Sequence, residues 1–500
     1  MLDLDTCYEA LRTRDERFDG RIFVGITSTG IYCRPVCPAR TAKRENCRFF
    51  PSAAAAQEAG FRPCLRCRPE TAVDLGSWRG TSNTVSRGLA LIAEGVLDGD
   101  DAGVEDLAER LGVGDRQLRR LFQQHLGASP IAVAQTRRVL FAKQLIHETQ
   151  LPMAQVALAA GFGSVRRFND TFRTLYGRPP GSLRRAHAGS RPDARRSRGV
   201  TVRLRYRPPY DWSAMLGYLA ARAVDGVERV EGDRYWRTVS HGGETGTVEI
   251  AHLGSARSVV ATIRFPDVRA LATIVGRIRR VLDLAADVAA IDAHLARDPL
   301  LAPLVAERPG LRAPGGWDGF ELAIRAVLGQ QVTVEAGRTL AGALARLCGT
   351  PIPAAERAHA ALSHAFPAAA QVAAADLASL GMPRARRDAL VAMARAALDD
   401  PRLFQPSDTV EETVARLRAI PGVGDWTAHY IALRAAREPD AFPASDVGLL
   451  RGAAHQEGAR RTPAELLARA ERWRPWRAYA AQHLWAADLA SRPERTRRAS

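Results

Sequence analysis

The chain has 500 residues, of which 46% are hydrophobic and 25% charged, and its formal net charge is +17. This length allows three or four domains, and the composition is that of a globular protein. The chain has no apolar run of about 18 residues, and its first twenty residues contain no apolar core. We therefore expect neither a membrane span nor a secretory signal. The positive charge favours a nucleic-acid partner, with a general bias toward arginine as the alternative.

Four cysteines near the start of the chain fall into two close pairs. Cys33 and Cys37 form C-x3-C, and Cys64 and Cys67 form C-x2-C after a gap of 26 residues. Two such pairs from separate loops are typical of a tetrahedral zinc site with four thiolate ligands. We therefore predict one zinc per chain on these four sulfurs. Cys47 lies between the pairs but has no close partner in the sequence.

Positive side chains crowd the quartet, and zinc with four thiolates carries a formal charge of −2. Such thiolates stay deprotonated and nucleophilic at neutral pH. The alternative is a zinc ion that only stabilises a small domain, but a purely structural site does not need many positive side chains that can reach phosphate. Near the quartet stand Arg34, Arg40, Lys43, Arg44, Arg62, Arg66 and Arg68, of which we select Arg34, Lys43 and Arg44 as DNA contacts.

The stretches "VGITSTGIYCRPVCPARTAKRENCRFF" and "AGFRPCLRCRPE" closely resemble the N-terminal domain of the Ada adaptive-response family, over most of residues 5–75. The resemblance implies that a zinc-bound cysteine accepts a methyl group from a methylated DNA backbone phosphate. By position the acceptor is Cys33. Cys47 departs from the family, which has an aliphatic residue there. Methylation makes the centre less negative, which implies tighter binding to promoter DNA.

Two helix pairs follow, "VEDLAERLGVGDRQLRRLFQQHLGASP" and "MAQVALAAGFGSVRRFNDTFRTLYGRPP", joined by one predicted connecting helix. In tandem they resemble the AraC-type DNA-binding domain, and Ser164 is the predicted N-cap of the last helix. In such pairs the exposed face of each second helix meets the major groove, although a phosphate contact or a solvated face is the alternative for each arginine. The predicted groove residues are Arg116, Gln117 and Arg120 in the first unit and Arg166, Arg167 and Asn169 in the second.

The later sequence "LRAIPGVGDWTAHYIALR" resembles a helix-hairpin-helix. Gly422 and Gly424 allow a tight turn whose backbone N–H groups can meet a DNA phosphate. Asp446 follows about twenty residues downstream, a pairing that is the mark of the helix-hairpin-helix base-excision glycosylases. A carboxylate that only caps the next helix is the alternative, and the two roles can coexist.

A wider stretch, about 202–490, resembles the AlkA-type 3-methyladenine DNA glycosylases, including "FELAIRAVLGQQVT" and "ERWRPWRAYAAQHLW". The resemblance makes Asp446 the catalytic carboxylate. It also implies a base pocket, although core packing is the alternative for each aromatic residue. Tyr218 stands where the family has Phe, and Gln331 where a Leu wedges into the base stack. The pocket set is Tyr218, Gln331, Trp426, Tyr430 and Trp485.

Two further residues limit the chemistry that the family resemblance implies. Trp426 occupies the position at which a bifunctional glycosylase carries a Schiff-base lysine, so we expect a monofunctional enzyme without a lyase step. Cys348, in "RLCGTP", lacks the Pro-Cys-His-Arg context of the second Ada methyltransferase. We therefore expect no repair of O6-methylguanine, and we interpret Cys7 and Cys348 as ordinary thiols.

We predict a multidomain, mainly α protein. Residues 1–78 are a small zinc-bound α/β domain, 82–187 a tandem helix-turn-helix domain and 188–199 a basic linker. Residues 200–280 form a small antiparallel α+β domain in which "TVRLRYRP", "GTVEIAHLG" and "SVVATIRF" are strands. An all-α helix-hairpin-helix glycosylase domain occupies 281–492.

The predicted function is therefore double: stoichiometric methylphosphotriester-DNA methyltransfer that switches on promoter binding, and DNA-3-methyladenine glycosylase II activity. Expected partners are double-stranded DNA, both alkylated and promoter, and RNA polymerase, with no membrane. We expect a monomer, cytoplasmic and associated with the nucleoid. One rival is a dedicated methyl-sensing transcription regulator whose glycosylase half is degenerate; another is a glycosylase with a structural zinc and extra DNA-binding modules.

Overall fold

The computed structural model describes residues 3–72, 83–99, 103–184, 199–407, 409–459 and 461–491. The chain divides into two compact units. The first contains 1–205 with 267–276, and the second contains 206–266 with 277–500. Except for Gly199, the predicted linker 188–199 lies outside the described residues. None of the described helices is both long and apolar enough to cross a bilayer.

The first unit opens with a small sheet in the order β3-β1-β2-β4. β1 pairs antiparallel with both β2 and β3, and β2 pairs parallel with β4. The metal-ligand candidates therefore lie at the end of one strand and just after another. The elements are α1 (Leu4–Arg12), β1 (Phe23–Ile26), β2 (Ile31–Cys33), β3 (Cys47–Phe50), α2 (Ala53–Glu58) and β4 (Arg62–Pro63).

Helices make up most of the rest of the first unit. Two helix pairs, α4 with α5 and α7 with α8, are joined by the single long helix α6, as the sequence predicts. Ser164 accepts a hydrogen bond from the N–H of Arg167 and so caps α8, as predicted. The elements are α3 (Asn83–Ala93), α4 (Val104–Leu111), α5 (Asp115–Leu126), α6 (Pro130–Glu148), α7 (Met153–Ala159), α8 (Val165–Tyr176) and β5 (Val200–Arg205).

The second unit contains an antiparallel sheet region in which β8 pairs with both β7 and β9, and β6 pairs with β7. The predicted strands "GTVEIAHLG" and "SVVATIRF" are β8 and β9. The sequence analysis did not predict β7, in which residues 235–239 are all buried although Arg237 and Thr238 are polar. The elements are α9 (Trp212–Arg222), β6 (Glu228–Glu231), β7 (Arg234–His241), β8 (Glu244–Leu253) and β9 (Ser258–Arg264).

A helical body completes the second unit, preceded by α10, whose residues are shared between the two units. Its α17 and α18 are the two helices of the predicted hairpin. The elements are α10 (Leu271–Val281), α11 (Val288–Leu295), α12 (Ala302–Glu307), α13 (Gly319–Leu328), α14 (Val334–Cys348), β10 (Thr350–Pro351), β11 (His364–Ala365), α15 (Ala369–Ala374), α16 (Arg384–Asp399), α17 (Val410–Arg418), α18 (Asp425–Arg434), α19 (Val447–Glu457), α20 (Pro463–Ala470) and α21 (Arg477–Ser491).

Candidate functional site

The four predicted ligand cysteines come together in the first unit. Their sulfur atoms all lie within 4.8 Å of one another, and all four residues are buried. Hydrogen bonds among the sulfurs push their pKa values apart: the pKa of Cys37 falls to about 7 and that of Cys64 also falls, while those of Cys33 and Cys67 rise. Four thiolates this close repel one another unless a cation lies between them, so the donor set fits one zinc ion.

The sulfurs differ in the backbone donors that reach them. The N–H of Arg34 donates to Cys67 Sγ at 3.4 Å, and the N–H of Arg66 donates to Cys64 Sγ at 3.3 Å. The backbone N–H of Ala39 donates to Cys37 Sγ. Within the described part of the chain no backbone N–H donates to Cys33 Sγ. Cys47 packs against the cluster that contains the quartet but is not one of the four close sulfurs, and its Sγ lies 3.4 Å from the carbonyl oxygen of Lys43.

Arg34 does not occupy the place that we predicted for it. Its side chain is buried, forms an ion pair with Asp19 and donates to the carbonyl oxygen of Cys67 at 3.1 Å and to Thr71 Oγ1 at 2.7 Å. Because these bonds use the donor groups of Arg34 inside the domain, its side chain holds the Cys67 loop in place and is not positioned to contact DNA. Lys43 and Arg44 are exposed, as a phosphate contact requires.

A buried ion pair joins the quartet to the helix-turn-helix module. Lys143 on α6 is fully buried, and its Nζ donates to the Cys64 carbonyl oxygen at 2.7 Å and to Glu70 Oε2 at 2.8 Å. Burial lowers the pKa of Lys143, and the charge of Glu70 opposes that effect. Arg68 pairs with Glu70 and with Glu148 at the end of α6. Sequence analysis missed this contact because its partners are more than seventy residues apart.

The predicted groove faces of α5 and α8 point away from their cores. Leu118 and Phe122 of α5, and Phe168 and Phe172 of α8, are fully buried. The opposite faces are therefore open to solvent and available to DNA. Arg116, Gln117, Arg120, Arg166 and Arg167 are exposed, and Asn169 is half-buried.

Asp446 lies at a cavity of about 1140 Å³ in the second unit. The indole Nε1 of Trp426 donates to its Oδ2 at 2.6 Å, and that of Trp485 donates to its Oδ1 at 2.9 Å. Asp446 is also the N-cap of α19, accepting from the N–H of Leu449 at 3.0 Å. Asp446 therefore does cap the helix, as the alternative expected. The two indole N–H groups also fix the orientation of its carboxylate, which helix capping does not require.

Aromatic rings wall the same cavity. The rings of Trp426 and Tyr430 stack with centroids 5.3 Å apart, and Trp485 meets Tyr430 edge-on at 6.4 Å. Tyr218 brings its hydroxyl to 3.5 Å from that of Tyr430. All four line the cavity together with Asp446, so the predicted pocket residues are assembled in one place. The indole N–H contacts to Asp446 could not be read from the sequence.

The hairpin between α17 and α18 borders this cavity. Gly422 has φ +84°, and a Cβ on it would lie 2.4 Å from that of Ala389, so only glycine fits there. Gln330 Nε2 donates to the Gly422 carbonyl oxygen and to Thr427 Oγ1, each at 2.9 Å, and so ties the hairpin to the loop after α13. Both Gly422 and Gly424 are exposed.

Gln331 lines the rim of the cavity in a strained backbone conformation. Its φ is +55°, which for a residue with a Cβ costs about 1–3 kcal/mol. The side chain is exposed. Strain of this kind persists where the surrounding structure holds it, and here Gln330 and Arg386, which donates to the Gln330 carbonyl oxygen at 2.7 Å, fix the neighbouring residue.

Four family models match the chain in order. They are the metal binding domain of Ada at 6–70, a helix-turn-helix domain at 107–186, the AlkA N-terminal domain at 201–318 and the HhH-GPD superfamily base excision DNA repair protein at 324–478. Together they confirm the predicted fold class, and the chain has an Ada-type zinc-binding domain whose four cysteines can hold one zinc.

Similar whole proteins point the same way. A probable bifunctional transcriptional activator/DNA repair enzyme AlkA of Mycobacterium tuberculosis is 42% identical over 97% of this chain and 96% of its own length. DNA-3-methyladenine glycosylase 2 of Escherichia coli is 37% identical over 56% of this chain and 95% of its own. The solved 3-methyladenine DNA-glycosylase of Archaeoglobus fulgidus, at 20% identity and TM-score 0.51, covers 57% of this chain and 98% of its own and shows the fold. The chain belongs to the family of bifunctional transcriptional activator/DNA repair enzymes that join an Ada-type zinc domain to an AlkA-type glycosylase.

Proposed function

We propose that this chain both repairs and reports DNA alkylation. The second unit hydrolyses the N-glycosidic bond of alkylated purines such as 3-methyladenine, and Cys33 in the first accepts a methyl group from DNA methylphosphotriesters. The observation that carries the glycosylase half is the carboxylate of Asp446, held by two indole N–H groups at the edge of an aromatic cavity.

The pocket chemistry suits a flipped base. A base in a duplex must leave the stack to be reached, and ring alkylation gives the purine a positive charge that aromatic faces attract. Trp426 and Tyr430 present such faces. As the C1′–N bond breaks, the negative charge of Asp446 stabilises the developing sugar cation. Water then forms the new C1′–O bond and gives up its proton, while the base leaves with the bonding electron pair.

The hairpin turn and Gln331 at the cavity rim position the DNA. The exposed turn of Gly422 and Gly424 offers the backbone N–H groups at the start of α18 to a phosphate. Gln331, exposed at the cavity rim beside the hydrogen-bonded Gln330, fills the gap that the flipped nucleotide leaves in the stack. An amide does this less well than a leucine because it must shed water, but it can hydrogen-bond to base edges in compensation.

Methyl transfer is a displacement at carbon. Cys33 Sγ attacks the methyl carbon of the phosphotriester, a C–S bond forms, and the C–O bond breaks to release an ordinary phosphodiester anion. Zinc on the four sulfurs would keep them deprotonated at neutral pH. Hydrogen bonds to a thiolate stabilise its charge and weaken it as a nucleophile, so Cys33, which receives no backbone N–H among the described residues, is the most reactive of the four. The thioether product is stable, so each chain acts once.

The same methyl transfer also switches on promoter binding. It removes one negative charge from the quartet and so reduces repulsion from the DNA backbone. The exposed arginines of α5 and α8 then hold promoter DNA more tightly. We further propose that the activated protein acts as a monomer in the cytoplasm, associated with the nucleoid, and contacts RNA polymerase there.

One experiment tests both halves. Purified protein is given DNA carrying 3-methyladenine, 7-methylguanine or labelled methyl phosphotriesters, and both the released base and the label kept on the protein are followed. The proposal requires release of free purine and retention of the label on Cys33. Label retention without any base release would favour the rival, a methyl-sensing regulator with a degenerate glycosylase half, for which the replacement of leucine by Gln331 is the motive.

A further inference from the structure

The loop between α13 and α14 carries Gln331, and its neighbour Gln330 ties that loop to the hairpin between α17 and α18. The side chain of Gln330 donates from Nε2 to the Gly422 carbonyl oxygen and to Thr427 Oγ1, each at 2.9 Å. Gly422 belongs to the hairpin turn, and Thr427 is buried in the first turn of α18. One amide group therefore holds both the turn and the helix that follows it.

Helix α16 contacts both sides of this junction. Arg386 Nη2 donates to the Gln330 carbonyl oxygen at 2.7 Å. Three residues later, Ala389 packs so closely on the hairpin that a Cβ on Gly422 would lie 2.4 Å from its own. Because residues three apart on a helix share one face, a single face of α16 supports the loop and the turn together.

The turn peptide that Gln330 contacts is fixed at both of its polar groups. Its carbonyl oxygen, on Gly422, accepts from Gln330, and its N–H, on Val423, donates to the Ile420 carbonyl oxygen at 3.1 Å. Gly422 and Gly424 on either side of Val423 are exposed. The orientation of the backbone that a phosphate would meet at this turn therefore depends on Gln330.

On the loop side, Gln331 follows Gln330 directly and combines a φ of +55° with an exposed side chain. A residue with a Cβ keeps such a φ only where its surroundings fix it. The residue before it is held by the bonds of Gln330. After it, Thr333 caps α14 by accepting from the Ala336 N–H at 3.2 Å. The direction in which the Gln331 side chain leaves the loop therefore depends on the same bonds.

We propose that Gln330 is a positioning residue for base flipping, which joins the phosphate-binding turn to the side chain that enters the base stack. The inference rests on the proposed glycosylase function and adds to it a link between two of its DNA contacts. Extrusion of a nucleotide costs unstacking and unpairing energy, which filling the gap in the stack offsets. The link keeps turn and loop at a constant spacing, so DNA seated on the turn meets Gln331 at the gap.

The test compares one lesion in two duplexes. The base 3-methyladenine is either paired or left as an unpaired bulge, in which extrusion costs less, and single-turnover excision is measured in each. Gln330→Met keeps the length of the side chain but removes its donor group. The ratio of the paired to the bulged rate should therefore fall on the order of tenfold, because misplaced positioning groups lose rate by such factors.

Gln371→Met is the matched control. Gln371 is also half-buried and also donates from Nε2 to a threonine, Thr350, at 3.2 Å, but it lies away from the residues that line the cavity. Its ratio should keep the wild-type value. A purely structural role of Gln330 would lower both of its rates by the same factor, and an unchanged ratio in folded Gln330→Met would overturn the proposal.

A double variant shows whether Gln330 acts through Gln331. In the Gln331→Ala background, adding Gln330→Met should leave the ratio unchanged, because the side chain that Gln330 positions has been removed. Losses that multiply would mean that the two residues act independently, and that result would also overturn the proposal.

If Gln330→Met does not fold, Thr427→Val decides in its place. This change removes one of the two acceptors of Gln330, so the ratio should fall by a smaller factor, and an unchanged ratio would overturn the proposal. Wild-type protein that releases 3-methyladenine from neither duplex would instead defeat the proposed glycosylase function itself.

Discussion

The cysteine quartet and the Asp446 pocket both hold negatively charged groups in place, but the residues that do so come from very different distances along the chain. The four cysteine sulfurs of the quartet, from two short stretches of sequence, lie within 4.8 Å of one another, and the proposed methyl transfer would consume one of them. The pocket gathers residues from 218 to 485 around a carboxylate that the proposed glycosylase reaction would regenerate. A single-use site needs only local geometry and one exposed reaction path. A catalyst must also hold, orient and release a substrate, and the residues that do so come from all along its unit.

The sharpest way to separate the two sites is to remove the methyl acceptor. Cys33→Ala should abolish methyl transfer, because no second sulfur of the quartet lacks a backbone donor, and should leave 3-methyladenine excision unchanged. Peptide mass mapping after exposure to methylated DNA checks this, with one added methyl on Cys33 expected in the wild type. A methyl on Cys37 or Cys47 would contradict the assignment. Cys348→Ala, far from the quartet in sequence, is the matched control.

The link between the quartet and α6 can be broken by itself. Lys143→Met leaves Glu70 charged and buried with Arg68 as its remaining ionic partner, so the free energy of unfolding of the first unit should fall, but by less than the about 3–5 kcal/mol that a fully unpaired buried charge costs. The double variant Lys143→Met with Glu70→Gln removes both charges and should recover much of that loss. Chemical denaturation followed by circular dichroism measures both. Equal losses in the single and double variants would show that the ion pair is not what stabilises the contact.

On the other side of the comparison, Asp446→Asn should slow 3-methyladenine excision by roughly a hundredfold or more, because it removes the charge that faces the developing sugar cation. Asparagine still caps α19, so the folded state should lose only about 1 kcal/mol. Methyl transfer and binding to abasic-site DNA should stay near normal. Near-wild-type excision by the folded variant would reduce Asp446 to a helix cap.

The smallest effect concerns the signal. Methylated protein should bind promoter DNA more tightly than unmethylated protein, on the order of fivefold at low salt, because one negative charge has been neutralised. The gap should narrow as salt rises, since screening weakens Coulombic terms. Fluorescence anisotropy at several salt concentrations measures it. Equal affinities at low salt would refute the charge mechanism while leaving the repair reaction intact.

The same contrast explains what sequence reasoning could predict. The quartet, the capped helix at Ser164 and the glycine turn at Gly422 are set by residues a few positions apart, where spacing and backbone preference decide the structure. Asp446 and the rings around it were predicted through family resemblance, but the indole donors of Trp426 and Trp485 depend on packing between distant helices.

The sequence did not reveal which charged side chains are buried. Arg34 was predicted to contact DNA because it stands beside the quartet among other cations, yet Asp19 draws it inside. Lys143 gave no signal, because its partner Glu70 is 73 residues away. Arg434, at the end of α18, also gave no signal, although it is buried and donates to the Pro314 carbonyl oxygen and to Gln482 Oε1. In each case the deciding partner is tertiary, and composition cannot supply it.

The central claim, that one chain holds a single-use methyl acceptor and a turning-over glycosylase, is tested most directly by counting products. Limiting protein is mixed with excess duplex carrying both a labelled methyl phosphotriester and 3-methyladenine. We predict that label on the protein stops at one methyl per chain while released base continues to accumulate beyond one per chain. Zinc chelation should stop the first signal and spare the second. Base release that halts with the label, or label that exceeds one per chain, would contradict the account.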